Sequence, residues 1–207
     1  MTPKDPLQVG MLCYPRLTQL DLTGPYEVLS RMSDTQVYIL WKDTGPVKTQ
    51  GGFCIVPDRT LRDAPRLDLL VVPGGLGQQD LMEDDEILNF LKLQAETARY
   101  MVSVCTGSLL LAAAGLLRGY RATCHWMFLP LLKPLGAIPT AERVVKRRTG
   151  LPRVELSPPR SLTARWTALN DSCGKNIQQE NVSSPLEVRN RVLISSVRRM
   201  TSSSPAN

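Results

Sequence analysis

The feature that most constrains the fold is the alternation of strand and helix patterns through residues 1–145. Short apolar runs that fit buried strands are separated by stretches with helical periodicity. In the clearest helix pattern, residues 84–98 (DDEILNFLKLQAETA), apolar side chains recur on one face and acidic residues crowd the start, where the helix dipole favours them. Strands that alternate with helices indicate an α/β fold with a mostly parallel sheet covered on both faces.

The other elements follow from local patterns. We predict a loop over residues 14–24, with Gly24 as the N-cap and Pro25 as the first residue of the next helix. The small apolar residues after Cys105 predict another helix. Buried strands are expected at residues 7–13, 36–41, 67–72 and 100–104. Shorter elements are expected at residues 47–49 and 53–56 (a hairpin around a Gln-Gly-Gly turn), 121–124, 128–132 and 144–145.

The balance of charge divides the chain near residue 145. Residues 1–145 carry 14 Lys and Arg against 15 Asp and Glu, whereas residues 146–207 carry 11 against 4. The second segment also contains ten serines, and Trp166 is its only aromatic residue. Such a composition buries little apolar surface. We therefore predict one α/β domain over residues 1–145 and an atypical basic, Ser-rich tail over residues 146–207 that is poorly ordered.

The cysteines and the hydropathy indicate the environment. The five cysteines form no C-x-x-C pair, which argues against a disulfide framework or a zinc site and for reduced thiols. Cys13, Cys54 and Cys124 lie in strand-like runs and are expected in the core. Without a long apolar run or the pattern of a secretory signal, we expect a cytoplasmic protein with no membrane partner and no metal site.

Two strands end abruptly and indicate where a site lies. One runs from Val72 into Pro73-Gly74-Gly75, and the other runs from Val104 into Cys105-Thr106-Gly107. In a parallel sheet both ends lie at the carboxyl edge, which is where such folds bind ligands. We therefore expect these two turns to lie together.

Cys105 lies between a buried strand and a helix of small residues, and it has two interpretations. At a helix N-terminus the unpaired N–H groups would lower the thiol pKa from about 8.5 to between about 3.5 and 7.5, giving a nucleophilic thiolate. Alternatively, Cys105 is a buried structural residue that packs like a small apolar side chain. The residues alone leave both interpretations open.

His125 and Asp21 are further candidates. His125 is the only histidine, and it either pairs with Cys105, lines a substrate site or is structural. Asp21 lies between Leu20 and Leu22, and near a site such a carboxylate has a raised pKa and can act as general acid or base. On its own, Asp21 is better explained as a loop residue that binds local backbone N–H groups.

Three stretches taken together resemble the DJ-1/PfpI superfamily, and within it the isocyanide (isonitrile) hydratases. They are QLDLTGPYEVL at residues 19–29, VPGG with Gly77 at residues 72–77, and SVCTGS at residues 103–108 followed by AAAGLL, RAT and HW up to Trp126. The resemblance covers residues 7–145. The amidase-like sensor domains of AraC-type transcription regulators share the same combination.

The resemblance implies a fold, an assembly and a reaction. The fold is a flavodoxin-like three-layer α/β sandwich, usually a homodimer. The reaction is hydration of a small-molecule isocyanide to an N-substituted formamide without a metal or organic cofactor. Cys105 would attack the isocyanide carbon, Asp21 would supply the proton and then activate water, and Thr106 would assist. The substrate and the negative charge that develops on it would be bound by Gly74, Gly75, His125 and Trp126.

The chain departs from this resemblance after residue 145. The family pattern leads us to expect a glycine-rich strand and a long helix there, and residues 146–207 contain neither. Our hypothesis is a reading-frame change, a mis-assigned exon boundary or a degenerated copy. Translating the other frames past codon 146 tests it. If the tail is native, the missing helix exposes core surface and lowers stability.

Three other functions compete with the hydratase. One is a ligand-sensing domain like those of AraC-type regulators, but the tail shows no paired DNA-binding helices, so we expect no nucleic-acid partner. Another is glyoxalase-like or amidase-like chemistry at Cys105. Asp21, where DJ-1-like members rely on a glutamate, favours the hydratase. The last is an inactive, truncated homologue.

Overall fold

The computed structural model describes residues 5–145, and within them a parallel sheet forms the centre of the molecule. Its strands are β1 (Leu7–Leu12), β2 (Thr35–Trp41), β5 (Arg59–Thr60), β6 (Leu69–Val72) and β7 (Tyr100–Ser103). They lie in the order β5-β2-β1-β6-β7, and each neighbouring pair is parallel. Strands β2, β1, β6 and β7 follow the first four positions of the flavodoxin-like order 2-1-3-4-5, and the short strand β5 is added at the edge beside β2. The expected fold class is confirmed.

Strands β1 and β6 form the buried centre of this sheet. All four residues of β6 and the last four of β1 are buried, so helices or loops cover both faces here. Chain order reverses between these two strands, since β2 lies on one side of β1 and β6 on the other. Ligands of such sheets bind at this switch point, beyond the carboxyl ends of the strands.

Helix α1 begins earlier than the sequence predicted. It spans Gln19–Leu29 with Thr18 at the N-cap, so Pro25 lies inside the helix and Gly24 is not its cap. Leu22 and Leu29 are buried, and the helix contacts β1, β2 and β6. Packing of this face outweighs the low helix propensity of glycine and proline. As a result, Asp21 lies in the first turn of a helix and not in a loop.

Two further helices connect the later strands, and the longer of them confirms its prediction. Helix α2 spans Gln78–Leu81, and helix α3 spans Asp85–Thr97. The Asp84 carboxylate caps α3 by accepting from the N–H groups of Glu86 at 3.1 Å and Ile87 at 3.2 Å. The Lys42 ammonium contacts the same carboxylate at 2.5 Å and lowers the Asp84 pKa against the opposing effect of its burial.

The hairpin was predicted correctly, whereas one cysteine was not. Strands β3 (Val47–Lys48) and β4 (Cys54–Ile55) pair antiparallel around the turn. Cys54 is exposed because it lies on this small two-stranded sheet, away from the central one. The expectation of a core position is therefore wrong for Cys54 and right for Cys13, which is fully buried.

The last described elements follow β7. Helix α4 spans Gly107–Ala113, β8 (Arg121–Ala122) pairs in parallel with β9 (Ile138–Pro139), and a 3₁₀ helix lies at Leu129–Leu132. Val144 and Val145 form no strand, so that expectation is wrong. Between residues 5 and 145, no helix is long and apolar enough to span a bilayer. The predicted tail over residues 146–207 lies outside the described residues.

Candidate active site

The turn between β7 and α4 holds Cys105 in an uncommon backbone conformation. The residue has a φ of +54°, in the left-handed region that side-chain-bearing residues seldom adopt. Gly107 allows this elbow to pack against the end of β6, since an added Cβ would lie 2.1 Å from the Val72 carbonyl oxygen. The sharp turn leaves the Cys105 side chain half-buried at the carboxyl edge of the sheet.

The Pro73-Gly74-Gly75 turn lies against this elbow, as the sequence predicted. The Gly75 N–H donates to Thr106 Oγ1 at 3.0 Å. Gly74 has no room for a side chain, because an added Cβ would lie 2.6 Å from the Thr106 nitrogen. The two strand ends are therefore joined through backbone and side-chain contacts at one site.

Helix α1 brings Asp21 to the same place. The Gly74 N–H donates to Asp21 Oδ2 at 3.2 Å, and the Cys105 thiol lies near enough to the Asp21 carboxylate to lower the pKa of that carboxyl. Asp21 is half-buried, so desolvation raises the pKa of its carboxyl, while the interactions with Cys105 and Gly74 lower it by a smaller amount. Asp21 and Cys105, from separate parts of the chain, are thus brought together as an acid–thiol pair.

The pKa of the Cys105 thiol is raised, which corrects the expectation that a helix N-terminus lowers it. Burial raises the pKa of Cys105 to about 12, and the charge of Asp21 adds to the increase. The Thr106 N–H at the start of α4 lowers this pKa, but less than burial raises it. Two neighbouring anions are unfavourable, so Asp21 and Cys105 titrate as a coupled pair.

His125 lies beside the pair, and Trp126 lies further out. The His125 N–H donates to the Cys105 carbonyl at 3.3 Å, and His125 Nδ1 accepts from the Met127 N–H at 3.3 Å. A neutral His125 therefore carries its proton on Nε2. The Trp126 ring stands 5.6 Å from the His125 ring and is 68% exposed.

Two features of the site were not predicted from the sequence. Tyr14 is fully buried beside the pair and donates its hydroxyl to the Pro73 carbonyl at 2.8 Å. Cys124 lies close enough for its charge to affect Cys105, and it contacts Ser108. Both contacts join residues far apart in sequence, so no local pattern indicates them. The only sequence feature that could have drawn attention to Tyr14 is its position, followed by Pro15, directly after a buried strand.

The part of the sequence that forms this site matches a known protein family. The DJ-1/PfpI family model matches residues 8–150, and all of the site residues named above lie within that range. The chain belongs to the DJ-1/PfpI family. The expected family and fold are thereby confirmed.

Relatives of this DJ-1/PfpI chain include enzymes and regulators. Isonitrile hydratase from Pseudomonas putida is 54% identical over 140 residues, which cover 68% of this chain and 61% of the hydratase. The transcriptional regulator GbdR from Pseudomonas aeruginosa is 33% identical over 129 residues, which cover 59% of this chain and 35% of the regulator. The chain thus spans about three fifths of the length of the hydratase.

A solved structure supports the same assignment. The crystal structure of a ThiJ/PfpI family protein from Pseudomonas syringae is 43% identical and superposes with a TM-score of 0.67. The match covers 69% of this DJ-1/PfpI chain and 60% of the other. Within residues 5–145, no cluster of three or more His, Cys, Asp or Glu side chains could hold a metal ion.

Proposed function

We propose that this protein is a hydro-lyase that adds water to an isocyanide, R–N≡C, and releases an N-substituted formamide without a metal or organic cofactor. The observation that carries the proposal is the convergence of Asp21 and the Cys105 elbow on one turn at the carboxyl edge of the sheet, where Gly74 donates to Asp21 and Gly75 donates to Thr106. The identity to an isonitrile hydratase supports it. Because the chain spans 61% of that relative, the activity of this chain is itself part of the proposal.

The first step is addition of the Cys105 thiol to the terminal carbon of the isocyanide. As the sulfur forms the C–S bond, its proton moves to the Asp21 carboxylate with which it is already in contact. Asp21 then protonates the same carbon, whose electron pair the addition has released. The product is a thioimidate, R–N=CH–S–Cys, and Asp21 returns to its carboxylate form. A raised thiol pKa is compatible with this step because the proton has an acceptor in place.

The second step hydrolyses the thioimidate. Asp21 accepts a proton from water as the water oxygen bonds to the thioimidate carbon, and this proton passes to the nitrogen. The tetrahedral adduct then breaks its C–S bond. The sulfur leaves with the proton of the new hydroxyl group, giving R–NH–CHO and free Cys105. The two steps together consume one isocyanide and one water.

Thr106 and the two glycines support the reacting pair in this mechanism. The Thr106 N–H lowers the pKa of Cys105 and so favours negative charge on sulfur. We propose that Gly74 and Gly75 act mainly by positioning Asp21 and Thr106, since both of their N–H groups already donate within the chain. Any additional donation from them to the substrate stays a prediction.

His125 and Trp126 are proposed to line the substrate. The neutral tautomer of His125 offers Nε2–H as a donor beside the pair. Trp126, exposed and adjacent to that ring, would cover an apolar R group or contact a second copy of the chain. The homodimer and the cytoplasmic location of the sequence analysis are likewise proposals.

Incubation of the purified full chain with a simple alkyl or aryl isocyanide tests the function. Mass spectrometry should detect the formamide with the wild-type protein and with C54A, which removes an exposed cysteine far from the site in sequence. C105A should lower the rate by at least about 10³-fold, because no other group forms the covalent intermediate. Wild-type turnover by C105A would reject the mechanism.

A ligand-sensing domain is the second candidate, and the match to GbdR over 129 residues favours it. A sensor binds its ligand without consuming it. In the same incubation, a sensor would raise the unfolding temperature in the presence of ligand but form no formamide. An inactive homologue would show neither effect.

A further inference from the structure

A single peptide group joins Tyr14 to Asp21. The Tyr14 hydroxyl donates to the Pro73 carbonyl at 2.8 Å. The Gly74 N–H at the other end of the same peptide donates to Asp21 Oδ2 at 3.2 Å. Hydrogen bonds that share a polarisable amide strengthen one another. The hydroxyl thus acts on Asp21 through the peptide without touching it.

Other contacts leave this peptide little freedom to relax. The Thr18 N–H donates to the Gly74 carbonyl at 2.9 Å, and Pro73, Gly74 and Gly75 are all buried. No other hydrogen bond to the Pro73 carbonyl is recorded among residues 5–145. Loss of the Tyr14 hydroxyl would therefore leave a buried acceptor unpaired, and the peptide would reorient.

We propose that Tyr14 is a positioning residue for the acid–base group: it fixes and polarises the Pro73–Gly74 peptide so that its N–H holds the Asp21 carboxylate against Cys105. The expected effect on turnover rests on the proposed function, whereas the expected effect on the titration of the Asp21–Cys105 pair does not. The titratable groups that act on Asp21 are Cys105 and His125, and those that act on Tyr14 are Asp21, Cys105 and Cys13.

The direction of the effect follows from the bond to Gly74. That bond stabilises the carboxylate form of Asp21 and lowers its pKa. Without the Tyr14 hydroxyl the Gly74 N–H is a weaker and less well-directed donor. The carboxylate then loses stabilisation, and the lower apparent pKa of the Asp21–Cys105 pair rises.

Y14F is the direct test, and Y38F is the matched control because the Tyr38 hydroxyl donates to Gln8 Oε1, away from the site. The pH profile of Cys105 alkylation by iodoacetamide reports the pair without any isocyanide. We expect its lower apparent pKa to rise by about half a unit in Y14F, a threefold change in the ionisation constant. Y38F should leave it unchanged.

Turnover provides the second measurement. Y14F should lower kcat for isocyanide hydration about fivefold, as for one lost hydrogen bond. KM should stay near the wild-type value, because the Tyr14 side chain is fully buried and its hydroxyl is bonded to Pro73. An alkylation profile and a kcat equal to those of Y38F would overturn the proposal. A shifted profile in a protein that hydrates no isocyanide would instead reject the proposed function alone.

If Y14F does not fold, 3-fluorotyrosine at position 14 keeps both the ring and the hydroxyl. Its hydroxyl is a stronger donor, so the lower apparent pKa of the pair should move downwards. An unchanged value in this variant would overturn the proposal.

Discussion

At the scale of single residues, the proposed reactive centre is the pair formed by Asp21 and Cys105. Burial raises the pKa of both groups, so each depends on the other to lose or gain a proton. This differs from an isolated thiolate at a helix N-terminus, one of the two interpretations that the sequence left open. Helix α4 has only seven residues, and the pKa-lowering effect of the Thr106 N–H is smaller than the effect of burial.

The pH dependence of hydration should reflect this pair. Activity requires one proton on the pair, so it should fall at low pH, where both groups are protonated, and at high pH, where neither is. The acid limb should lie above the ordinary pKa of an aspartate, because burial raises the Asp21 pKa. The pH profile of kcat/KM checks this. An acid limb at or below pH 4, the usual aspartate range, would contradict it.

D21N should separate catalysis from folding. The amide cannot carry the proton, so kcat should fall by about 10²- to 10⁴-fold, the usual contribution of a general acid or base. Folded Asp21 has a raised pKa, so its ionised form destabilises the fold at neutral pH. The free energy of unfolding of D21N in urea should therefore equal or exceed that of wild type. A large loss of stability would indicate a structural role instead.

At the scale of elements, the elbow between β7 and α4 depends on glycine at position 107. An added methyl group in G107A would meet the Val72 carbonyl oxygen at 2.1 Å and would separate the elbow from β6. We expect a loss of about 1–3 kcal/mol in unfolding free energy and a large loss of activity. G51A is the control, because no atom lies within 4 Å of a Cβ there. Equal stability of the two variants would contradict the packing described.

The cap of α3 provides a stability prediction away from the site. The Asp84 carboxylate accepts two backbone N–H bonds and contacts Lys42. D84A should lower the unfolding free energy by about 1 kcal/mol, with kcat unchanged, whereas E83A at the exposed neighbouring position should change neither. Chemical denaturation checks both variants. A D84A protein as stable as E83A would show that the cap contributes little.

At the scale of the whole molecule, local patterns predicted the fold better than they predicted the site. Apolar runs identified the long strands because burial on both faces leaves a plain signal in β1 and β6. The start of α1 was missed because packing of Leu22 and Leu29 overrides the breaking tendency of Gly24 and Pro25. The positive φ of Cys105 and the Tyr14–Pro73 bond arise from non-local contacts.

The buried thiols predict how the whole molecule responds to alkaline pH. Burial raises the pKa of Cys13 from 9.0 to about 12, so its contribution to stability is complete below pH 9 and is lost as pH rises towards 12. Above pH 9 each such thiol should cost about 1.4 kcal/mol per pH unit. Between pH 8 and 11, the free energy of unfolding measured in urea should fall less steeply with pH for C13A than for C54A. An equal dependence of stability on pH in the two variants would contradict a raised pKa for Cys13.

Time-resolved mass spectrometry of the full chain mixed with an isocyanide tests the central claim most directly, since it follows the protein and the product together. We predict that the peptide containing Cys105 transiently gains the mass of one isocyanide and that formamide appears as this adduct decays. Formamide without an adduct at Cys105, or no formamide from a folded protein, would contradict the account.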